Sequence, residues 1–300
     1  MKSGFVGIIG RPNVGKSTLL NNILGEKIAI TTDKPQTTRN SIRGIHTKID
    51  DDGKVTCQLV FIDTPGIHKP RNKLGGYMTE IAMRTMEEVD VIIFMIDSTL
   101  TIKPEDDKIM ESLRRTATPK ILLINKIDKI PPMTFKTIYD QHESLGIFDF
   151  ILGISALNGK NVDVLLEKLE EMVARGPMFF PSDMITDHPE RFLVSEIIRE
   201  KVLLYLNEEV PHGVAVELET YKETPEKTKI GAVIYCERKS HKGILIGKEG
   251  KKLKGIGKSA RMEIEGLLGT KVFLELWVKV KENWRDSDFL LSSFGYKSNE

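Results

Sequence analysis

One octapeptide near the N-terminus constrains the fold more than any other feature of the chain. Residues 10–17 read GRPNVGKS and satisfy the pattern G-x-x-x-x-G-K-[ST] of a phosphate-binding loop. The loop follows an apolar run that predicts a strand, Phe5 to Ile9, and precedes a helical pattern, which is the context that the motif requires. The fold must therefore contain a strand, a tight loop and a helix whose first N–H groups point at an anion.

The residue types in this loop predict the chemistry of the site. Gly10 and Gly15 let the backbone turn tightly, Lys16 reaches the terminal phosphates of a nucleotide, and Ser17 offers a hydroxyl to Mg²⁺. The alternative is a glycine-rich surface turn, which the surrounding strand and helix disfavour. The predicted nucleotide contacts in this region are Gly10, Arg11, Pro12, Asn13, Val14, Gly15, Lys16, Ser17 and Thr18.

Short β-branched runs alternate with longer helical patterns as far as about Arg175. This alternation predicts an α/β domain with a mainly parallel sheet, helices on both faces and functional loops at the carboxyl ends of the strands. Residues 50–53 (DDDG) predict a hairpin tip, and Asp106 and Asp107 predict a solvated helix start. Predicted strands are Phe5 to Ile9, Leu59 to Asp63, Val91 to Asp97, Ile121 to Asn125 and Ile151 to Ser155.

The second predicted strand ends in a D-x-x-G tetrapeptide. Asp63 at the strand end can hold Mg²⁺ through a water molecule, and the N–H of Gly66 can approach the γ-phosphate. Such a tetrapeptide alone is usually only a turn. Its position after the phosphate loop supports its assignment to the nucleotide site. Thr64 and Pro65 between them complete the predicted nucleotide contacts of this segment.

An N-K-x-D motif at the end of a later strand indicates the base. Asp128 can accept hydrogen bonds from N1 and N2 of guanine, which adenine does not offer, and this selects GTP over ATP. Asn125 and Lys126 of the same motif belong to the predicted site. At the next strand end, Ser155 and Ala156 are predicted to present a backbone N–H to guanine O6.

The overall composition excludes several classes of protein. Lys and Arg number 44 against 43 Asp and Glu, so a polyanion can be bound only by a local patch. A hydrophobic fraction of 40% with 29% charged residues excludes a collagen-like, disordered or coiled-coil chain. The two cysteines are far apart, the apolar runs fall short of a membrane span of about 20 residues, and no secretory signal is recognised. We therefore expect a cytoplasmic protein without an integral membrane segment.

A second domain follows a proline-containing stretch. Pro177, Pro181 and Pro189 predict a linker of limited flexibility, which gives the boundaries 1–176, 177–190 and 191–300. Beyond it the pattern predicts a helix, two strands, a glycine-punctuated helical segment over Lys242 to Leu268, and a last strand. This order is that of an α+β KH domain of type II.

A basic G-x-x-G loop lies in the second domain. The glycines Gly247 and Gly250 let two helix ends approach a nucleic-acid backbone, as in a KH loop that clamps four nucleotides. From Arg238 to Arg261 there are nine basic residues and one acid, so a solvated helix face, which usually mixes signs, is the weaker alternative. The predicted RNA contacts are Lys242, Ile246, Gly247, Lys248, Glu249, Gly250, Lys251, Lys252 and Arg261.

The motifs of the first domain resemble those of the Era/TrmE class of bacterial GTPases, whose switch I corresponds to residues 36–39 (QTTR). The resemblance implies that Thr38 coordinates Mg²⁺ with Ser17 in the GTP state, and that Asn13 helps to hold a K⁺ ion. Ile67 stands where other GTPases have a water-positioning glutamine, which predicts slow intrinsic hydrolysis. The residues predicted to serve catalysis are Lys16, Thr38, Asp63 and Gly66.

The whole chain, with Trp277 near the end of its KH pattern, resembles the Era family. The resemblance implies a GTPase switch that uses GTP, GDP and Mg²⁺, binds the 3′ end of 16S rRNA and acts in maturation of the small ribosomal subunit. The family also associates with the inner membrane, which implies peripheral contact at the inner face of the cell membrane. We further expect a monomer. The alternative is an RNA-binding module whose GTP site stabilises the fold or tunes a surface, with hydrolysis incidental.

Overall fold

The computed structural model of the chain describes residues 1–100, 104–207 and 210–296. The chain divides into two compact units. The first consists of Met1–Ala29, Thr38–Pro70 and Met78–Asp187, and the second of Ile30–Thr37, Arg71–Tyr77 and His188–Glu300. Two short segments from the N-terminal half thus belong to the second unit.

The first unit is built on a six-stranded sheet in the order β2-β3-β1-β4-β5-β6. Its strands are β1 (Lys2–Gly10), β2 (Ile42–Ile49), β3 (Val55–Asp63), β4 (Val91–Asp97), β5 (Lys120–Asn125) and β6 (Phe150–Ile154). Its helices are α1 (Lys16–Leu24), α2 (Lys73–Glu88, whose first residues lie in the second unit), α3 (Pro104–Arg115), α4 (Pro132–Glu143) and α5 (Val162–Met172).

The sheet confirms the predicted mainly parallel α/β fold. Strand β1 pairs in parallel with β3 and β4, and β5 continues the parallel run to β6. Strand β2 is antiparallel to β3 across the predicted hairpin tip, where the N–H of Gly53 donates to the carbonyl of Asp50 over 3.0 Å. Strand β6 ends at Ile154, so Ser155 lies just beyond the strand that was predicted to include it.

The apolar runs become the central strands because helices cover both faces of a parallel sheet. All seven residues of β4 are buried, and so are all six of β5. The core between the sheet and its helices includes Ile9, Phe94, Leu113 and Leu122, all at most 1% exposed. This rigid sheet fixes the strand ends at which the predicted site residues lie.

The segment predicted as a linker packs on the first unit up to residue 187. The buried side chain of Gln58 on β3 accepts hydrogen bonds from the N–H groups of Phe179 and Phe180 and donates to the carbonyl of Phe180. Further along, the N–H of Ile45 donates to the carbonyl of Ile185 over 2.7 Å. These bonds hold most of the predicted linker against the first unit, which extends to Asp187.

The second unit has the element order of a type II KH domain, as predicted. Its three-stranded sheet runs β7-β8-β9, with β8 antiparallel to β7 and parallel to β9. The elements are α6 (Glu190–Tyr205), β7 (Ala215–Glu223), β8 (Thr228–Cys236), α7 (Lys239–Ile246), α8 (Lys251–Leu268), β9 (Val272–Val280) and α9 (Asp288–Ser293). The pattern did not predict α9.

The three longer helices of this unit cover one face of its sheet. Apolar positions on them, such as Ile198, Leu245 and Ile256, are fully buried against Ile234 of the central strand β8. The G-x-x-G segment, residues 247–250, connects the two helices α7 and α8.

Candidate nucleotide site and nucleic-acid groove

The phosphate loop joins β1 to α1, and its lysine is buried. Gly15 precedes α1 with φ of 110°, and a Cβ there would lie 2.3 Å from Nδ2 of Asn125, so only glycine fits. The ammonium of Lys16 donates to the carbonyls of Gly10 and Arg11 over 3.1 and 2.9 Å. Burial lowers the pKa of Lys16 to about 8, and the nearby Asp63 opposes part of that shift. A phosphate group near Lys16 would favour its charged form.

Three oxygen donors meet beside the loop, and all three belong to residues predicted for this site. The Ser17 hydroxyl donates to Oδ2 of Asp63 over 2.5 Å, and it lies 2.9 Å from the Thr38 hydroxyl. Asp63 is fully buried, and burial raises its pKa to about 6, although Lys16 and the neighbouring hydroxyl groups favour the carboxylate. Its Oδ1 has no hydrogen-bonding partner within the described part of the chain.

This donor set fits Mg²⁺. Hard oxygen ligands are what the ion prefers, and it commonly keeps several waters while a few side chains hold it. The unpartnered Oδ1 of Asp63 could accept a hydrogen bond from such a water, in agreement with the indirect role predicted for this carboxylate. Ser17 and Thr38 are the residues that would coordinate the ion directly.

The turn after Asp63 packs directly on the phosphate loop. A Cβ on Gly66 would lie 2.4 Å from the backbone nitrogen of Pro12, so this close approach requires glycine. The next N–H, that of Ile67, donates to the carbonyl of Gly10 over 3.1 Å, while the Ile67 side chain is buried in the core. Ile67 therefore cannot orient a water at the phosphates, as its residue type predicts. The Thr64 hydroxyl donates to the carbonyl of Ile8 over 2.8 Å and anchors the turn, in which Pro65 is buried as well.

The predicted base-recognition residues surround a cavity of about 150 Å³. Nδ2 of Asn125 donates to the carbonyl of Val14 over 2.7 Å, and its Oδ1 accepts from the N–H of Ala156 over 2.9 Å. Asn125 thus ties the phosphate loop to the segment that carries Ser155. The carboxylate of Asp128 is exposed and lines the cavity, where guanine N–H groups can reach it. The cavity is lined by Gly15, Thr18, Asn125, Lys126, Asp128, Lys129, Ser155, Ala156 and Leu157.

Two acidic residues have roles that the sequence pattern did not indicate. Asp97, buried at the end of β4, accepts a 2.5 Å hydrogen bond from Lys126, whose ammonium also donates to the carbonyl of Asn13 over 3.2 Å. Burial disfavours the charged form of Asp97, but the bonds from Lys126 and Thr99 outweigh it and lower the pKa of that carboxyl below its usual value. Asp97 therefore holds the lysine of the N-K-x-D motif.

The prediction that Asp106 lies at a solvated helix start is wrong. Asp106 is 3% exposed and accepts a 2.8 Å hydrogen bond from Nε of Arg11, which is also buried. The pair therefore fixes the phosphate loop to α3. Asp107, the neighbouring residue, is exposed as predicted. Within the phosphate loop, Asn13 has the left-handed φ of 64°, which asparagine tolerates better than most residues.

The G-x-x-G loop has the backbone that its glycines suggest. Gly247 and Gly250 have φ of 72° and 73°, and a Cβ on Gly247 would lie 2.7 Å from the Cβ of Lys252. Lys248, Glu249 and Lys251 between and after them are exposed. The loop therefore presents backbone and ammonium groups to solvent at the junction of α7 and α8.

An open groove of about 540 Å³ begins at this loop and runs between α8 and β9. Its floor is apolar and its helical side is basic, through Lys254, Lys258 and Arg261. Of the predicted RNA contacts, Gly250 and Arg261 line the groove, while Lys242 is exposed on α7 outside the lining set. The groove residues that the motif did not indicate are Leu253, Lys254, Gly257, Lys258, Val272, Phe273, Leu274 and Leu276.

Across residues 1–100, 104–207 and 210–296, no helix is both long and apolar enough to cross a membrane. Within the same ranges, no group of three or more His, Cys, Asp or Glu side chains is arranged to hold a metal ion. The cluster at Ser17, Thr38 and Asp63 is a different kind of site, because phosphates of a bound nucleotide would supply part of the metal coordination there.

Comparison with known proteins matches both halves of the chain. A family model described as a 50S ribosome-binding GTPase matches residues 5–126, and one described as a KH domain matches residues 209–285. A guanine-nucleotide site joined to a KH domain defines the class: a GTPase that carries a nucleic-acid-binding module.

The relatives specify the family within this class. GTPase Era of Alkaliphilus metalliredigens strain QYMF is 56% identical over 298 residues, with 99% of each chain covered. GTPase Era of Clostridioides difficile strain 630 is 55% identical, with 98% of each chain covered. The chain belongs to the Era family of GTPases, as its motifs predicted.

Two solved structures are similar to the chain, each with 43% sequence identity and with 99% of both chains covered. One is a variant of Aquifex aeolicus Era bound to GDP.AlF4⁻, with a TM-score of 0.93. The other is Era in complex with MgGDPNP and nucleotides 1506–1542 of 16S ribosomal RNA, with a TM-score of 0.94. Both confirm the fold of a G domain followed by a KH domain.

Proposed function

We propose that the chain is a GTP-driven switch that binds the 3′ end of 16S rRNA through its KH domain and acts in assembly and maturation of the small ribosomal subunit. One observation carries the proposal: a complete guanine-nucleotide site and a basic G-x-x-G groove occur on one chain. A relative that is 43% identical over 99% of its length was solved with a GTP analogue and a 16S rRNA fragment together. The proposal assigns the GTPase domain to residues 1–176, a linker to 177–190 and the KH domain to 191–300.

The first unit brings together the side chains that would bind GTP and Mg²⁺. Lys16 would contact the terminal phosphates, Ser17 and Thr38 would hold Mg²⁺, and Asp63 would hold it through water. Bound Mg²⁺ would neutralise charge that develops on the phosphate oxygens as the γ-phosphoryl group leaves. The N–H of Gly66 would sense the γ-phosphate, because the turn that carries it is packed on the phosphate loop.

Slow intrinsic hydrolysis belongs to the same proposal. The buried Ile67 removes one means of orienting the attacking water, so an additional cation near the phosphates would have a large effect. We propose that K⁺ supplies it next to Asn13. Equal hydrolysis rates in NaCl and KCl at matched ionic strength would remove the potassium assignment without affecting the rest.

The RNA half uses the groove between α8 and β9. The apolar floor can accept unstacked bases, while the lysines and Arg261 on its helical side contact phosphates. Because these are mainly charge contacts, the affinity for RNA should fall steeply as the salt concentration rises. The sequence preference would then reside in the shape of the groove.

The test is GTP hydrolysis measured with and without an RNA that has the sequence of nucleotides 1506–1542 of 16S rRNA. The proposal predicts faster hydrolysis with RNA. Gly247→Asp should remove the stimulation, because it adds a carboxylate and a side chain where φ is 72°. Lys222→Glu, at an exposed lysine of β7 outside the groove, is the matched control and should retain it.

Unchanged hydrolysis with saturating RNA would favour the alternative, an RNA-binding module with incidental GTP turnover. Failure of the wild-type chain to bind this RNA more tightly than a scrambled sequence would overturn the rRNA assignment itself. The intact Lys16, Ser17 and Asp63 cluster favours a working switch over the passive module.

We propose action as a monomer in the cytoplasm, with peripheral contact of the basic surface at the inner face of the cell membrane. Sedimentation velocity tests the monomer. Co-sedimentation with anionic vesicles, compared with neutral ones, tests the membrane contact, which a lack of binding to both would exclude.

A further inference from the structure

The loop that precedes Thr38 is fixed by the first helix of the second unit. Residues 30–37 belong to that unit, and the chain enters the first unit at the Thr37–Thr38 peptide bond. Inside the loop, the Thr37 hydroxyl donates to the carbonyl of Lys34 over 2.7 Å and lies 2.6 Å from the Thr32 hydroxyl. The loop is thus a folded turn, and its position is set by what its backbone contacts.

Two consecutive residues of α6 make these backbone contacts. Nη2 of Arg199 donates a hydrogen bond to the carbonyl of Thr37. Oε1 of Glu200 accepts a 2.9 Å hydrogen bond from the N–H of Thr31 at the other end of the loop. Arg199 and Glu200 are each 1% exposed, so both bonds are shielded from water.

The burial of Arg199 is not explained by the stability of the second unit alone. Its guanidinium pairs with Glu196 of the same helix, with Nε 2.8 Å from Oε1, and this neutralises the buried charge. A buried ion pair of this kind is often no more stabilising than a well-packed apolar residue. The contact that an apolar residue could not make is the hydrogen bond to Thr37.

This bond acts one residue away from the predicted magnesium ligand. The Thr38 hydroxyl lies 2.9 Å from Oγ of Ser17, and Ser17 in turn donates to Asp63. A displacement of the Thr37 carbonyl would rotate the shared peptide and withdraw the Thr38 hydroxyl from this cluster. In the function proposed above, Thr38 is a ligand of Mg²⁺ in the GTP state, and no role in holding GDP is assigned to it.

We propose that Arg199 is a positioning residue for GTP hydrolysis: by holding the Thr37 carbonyl, it fixes the Thr38 hydroxyl beside Ser17 and Asp63. The proposal rests on the function proposed above, in which Thr38 is a magnesium ligand of the GTP state. It goes further by assigning a role in hydrolysis to a residue of the KH-containing unit that lines neither the nucleotide cavity nor the groove described above.

The test compares Arg199→Met, Arg199→Lys and Arg191→Met in single-turnover GTP hydrolysis without RNA, over a range of Mg²⁺ concentrations. Losing a buried charge-assisted hydrogen bond should slow hydrolysis roughly 10- to 100-fold and raise the Mg²⁺ concentration for half-maximal rate. The affinity for GDP should stay within about twofold, since no role for Thr38 in holding GDP is proposed. Arg199→Lys should recover part of the rate, because an ammonium can still donate to the Thr37 carbonyl.

Arg191→Met is the matched control. Arg191 lies on α6 too, but its guanidinium is 5.6 Å from the centre of the Tyr221 ring and makes no part of the loop contact. Its hydrolysis and Mg²⁺ dependence should equal those of the wild type.

Three results would overturn the proposal. The first is a folded Arg199→Met variant whose hydrolysis rate and Mg²⁺ dependence equal those of the wild type, and the second is an Arg199→Met variant that loses GDP affinity as much as hydrolysis rate. The third is an Arg199→Lys variant that hydrolyses GTP no faster than Arg199→Met. If Arg199→Met does not fold, the test uses Arg199→Lys alone. This variant should need more Mg²⁺ for its half-maximal rate while its GDP affinity is unchanged. An Arg199→Lys variant with wild-type Mg²⁺ dependence would then refute the assignment. All these rates are measured without RNA. A lack of RNA stimulation in the wild type would therefore contradict the proposed switch, but the effect of the Arg199 variants on hydrolysis could still be interpreted.

Discussion

Replacing Asn125 by alanine tests how the nucleotide site is held together. Asn125 is 2% exposed, and its side chain links two backbone groups from separate loops, the carbonyl of Val14 and the N–H of Ala156. The substitution removes both bonds and leaves two buried backbone groups without partners. It also opens space beside Gly15, where a Cβ would lie 2.3 Å from Nδ2 of Asn125.

The expected cost follows from the two lost bonds. Each buried backbone group left unpaired costs about 1–3 kcal/mol, so the sum is roughly 2–6 kcal/mol. Relaxation and entry of water into the nucleotide-free site recover part of it, which leaves about 2–4 kcal/mol for nucleotide binding. With 1.4 kcal/mol for each factor of ten, we expect the affinity for GDP to fall roughly 30- to 700-fold.

The assay is displacement of a fluorescent guanine nucleotide, together with thermal unfolding of the nucleotide-free chain. Asn161→Gly is the control: it removes one bond of 2.7 Å, from Nδ2 of Asn161 to the carbonyl of Gly153, at a residue whose φ of 63° suits glycine. The control should lower stability slightly and leave GDP affinity unchanged. A folded Asn125→Ala chain that binds GDP within twofold of the wild type would refute the bridging role.

Further predictions concern the phosphates and the pH. Lys16→Ala should abolish nucleotide binding while the KH-containing unit stays folded, and loss of both units in one thermal transition would contradict this independence. Gly66→Ala should stop hydrolysis yet retain GDP binding, since a Cβ there lies 2.4 Å from the Pro12 nitrogen; normal turnover would refute the close approach. The affinity for Mg·GDP should be highest between about pH 6 and pH 8, because Asp63 (pKa about 6) is protonated below that range and Lys16 (pKa about 8) loses its proton above it. Without Mg²⁺ the acid limb should disappear, and a flat profile from pH 5 to 9 would contradict both assignments.

The sequence predicts the first unit well because its signals are local. Strand β4 is Val91–Asp97 in the structure, as its apolar run indicated, since a strand buried on both faces needs an uninterrupted apolar stretch. The motif residues then lie at strand ends, where the connections leave the parallel sheet. The end of the outer strand was less accurate: β6 ends at Ile154, although the predicted strand extended to Ser155.

The sequence pattern did not predict residues whose roles depend on tertiary contacts. Asp97 and Asp106 look like ordinary acidic residues near the ends of elements, and their partners Lys126 and Arg11 are 29 and 95 residues away along the chain. Arg199 is a similar case, since Thr37 is 162 residues away. Nothing in the spacing of a single sequence indicates that such pairs meet.

The groove between α8 and β9 was predicted only in part from the sequence. The G-x-x-G motif and the lysine count located one wall, because glycine and charge are visible in the sequence. The other wall is β9, whose Phe273, Leu274 and Leu276 resemble any strand positions until the strand is placed beside α8. A parallel pairing of β8 with β9 creates this neighbourhood, and pairing is a property of the fold.

The most direct test of the switch is the affinity for RNA in two nucleotide states. The dissociation constant of an RNA with the sequence of nucleotides 1506–1542 of 16S rRNA is measured with the chain saturated by Mg·GDP and by Mg·GDPNP. A coupling of about 1–3 kcal/mol predicts affinities that differ by roughly 5- to 150-fold, and RNA must change the ratio of the two nucleotide affinities by the same factor. Equal RNA affinities in both states would contradict the account and leave a GTPase and an RNA-binding module that act independently.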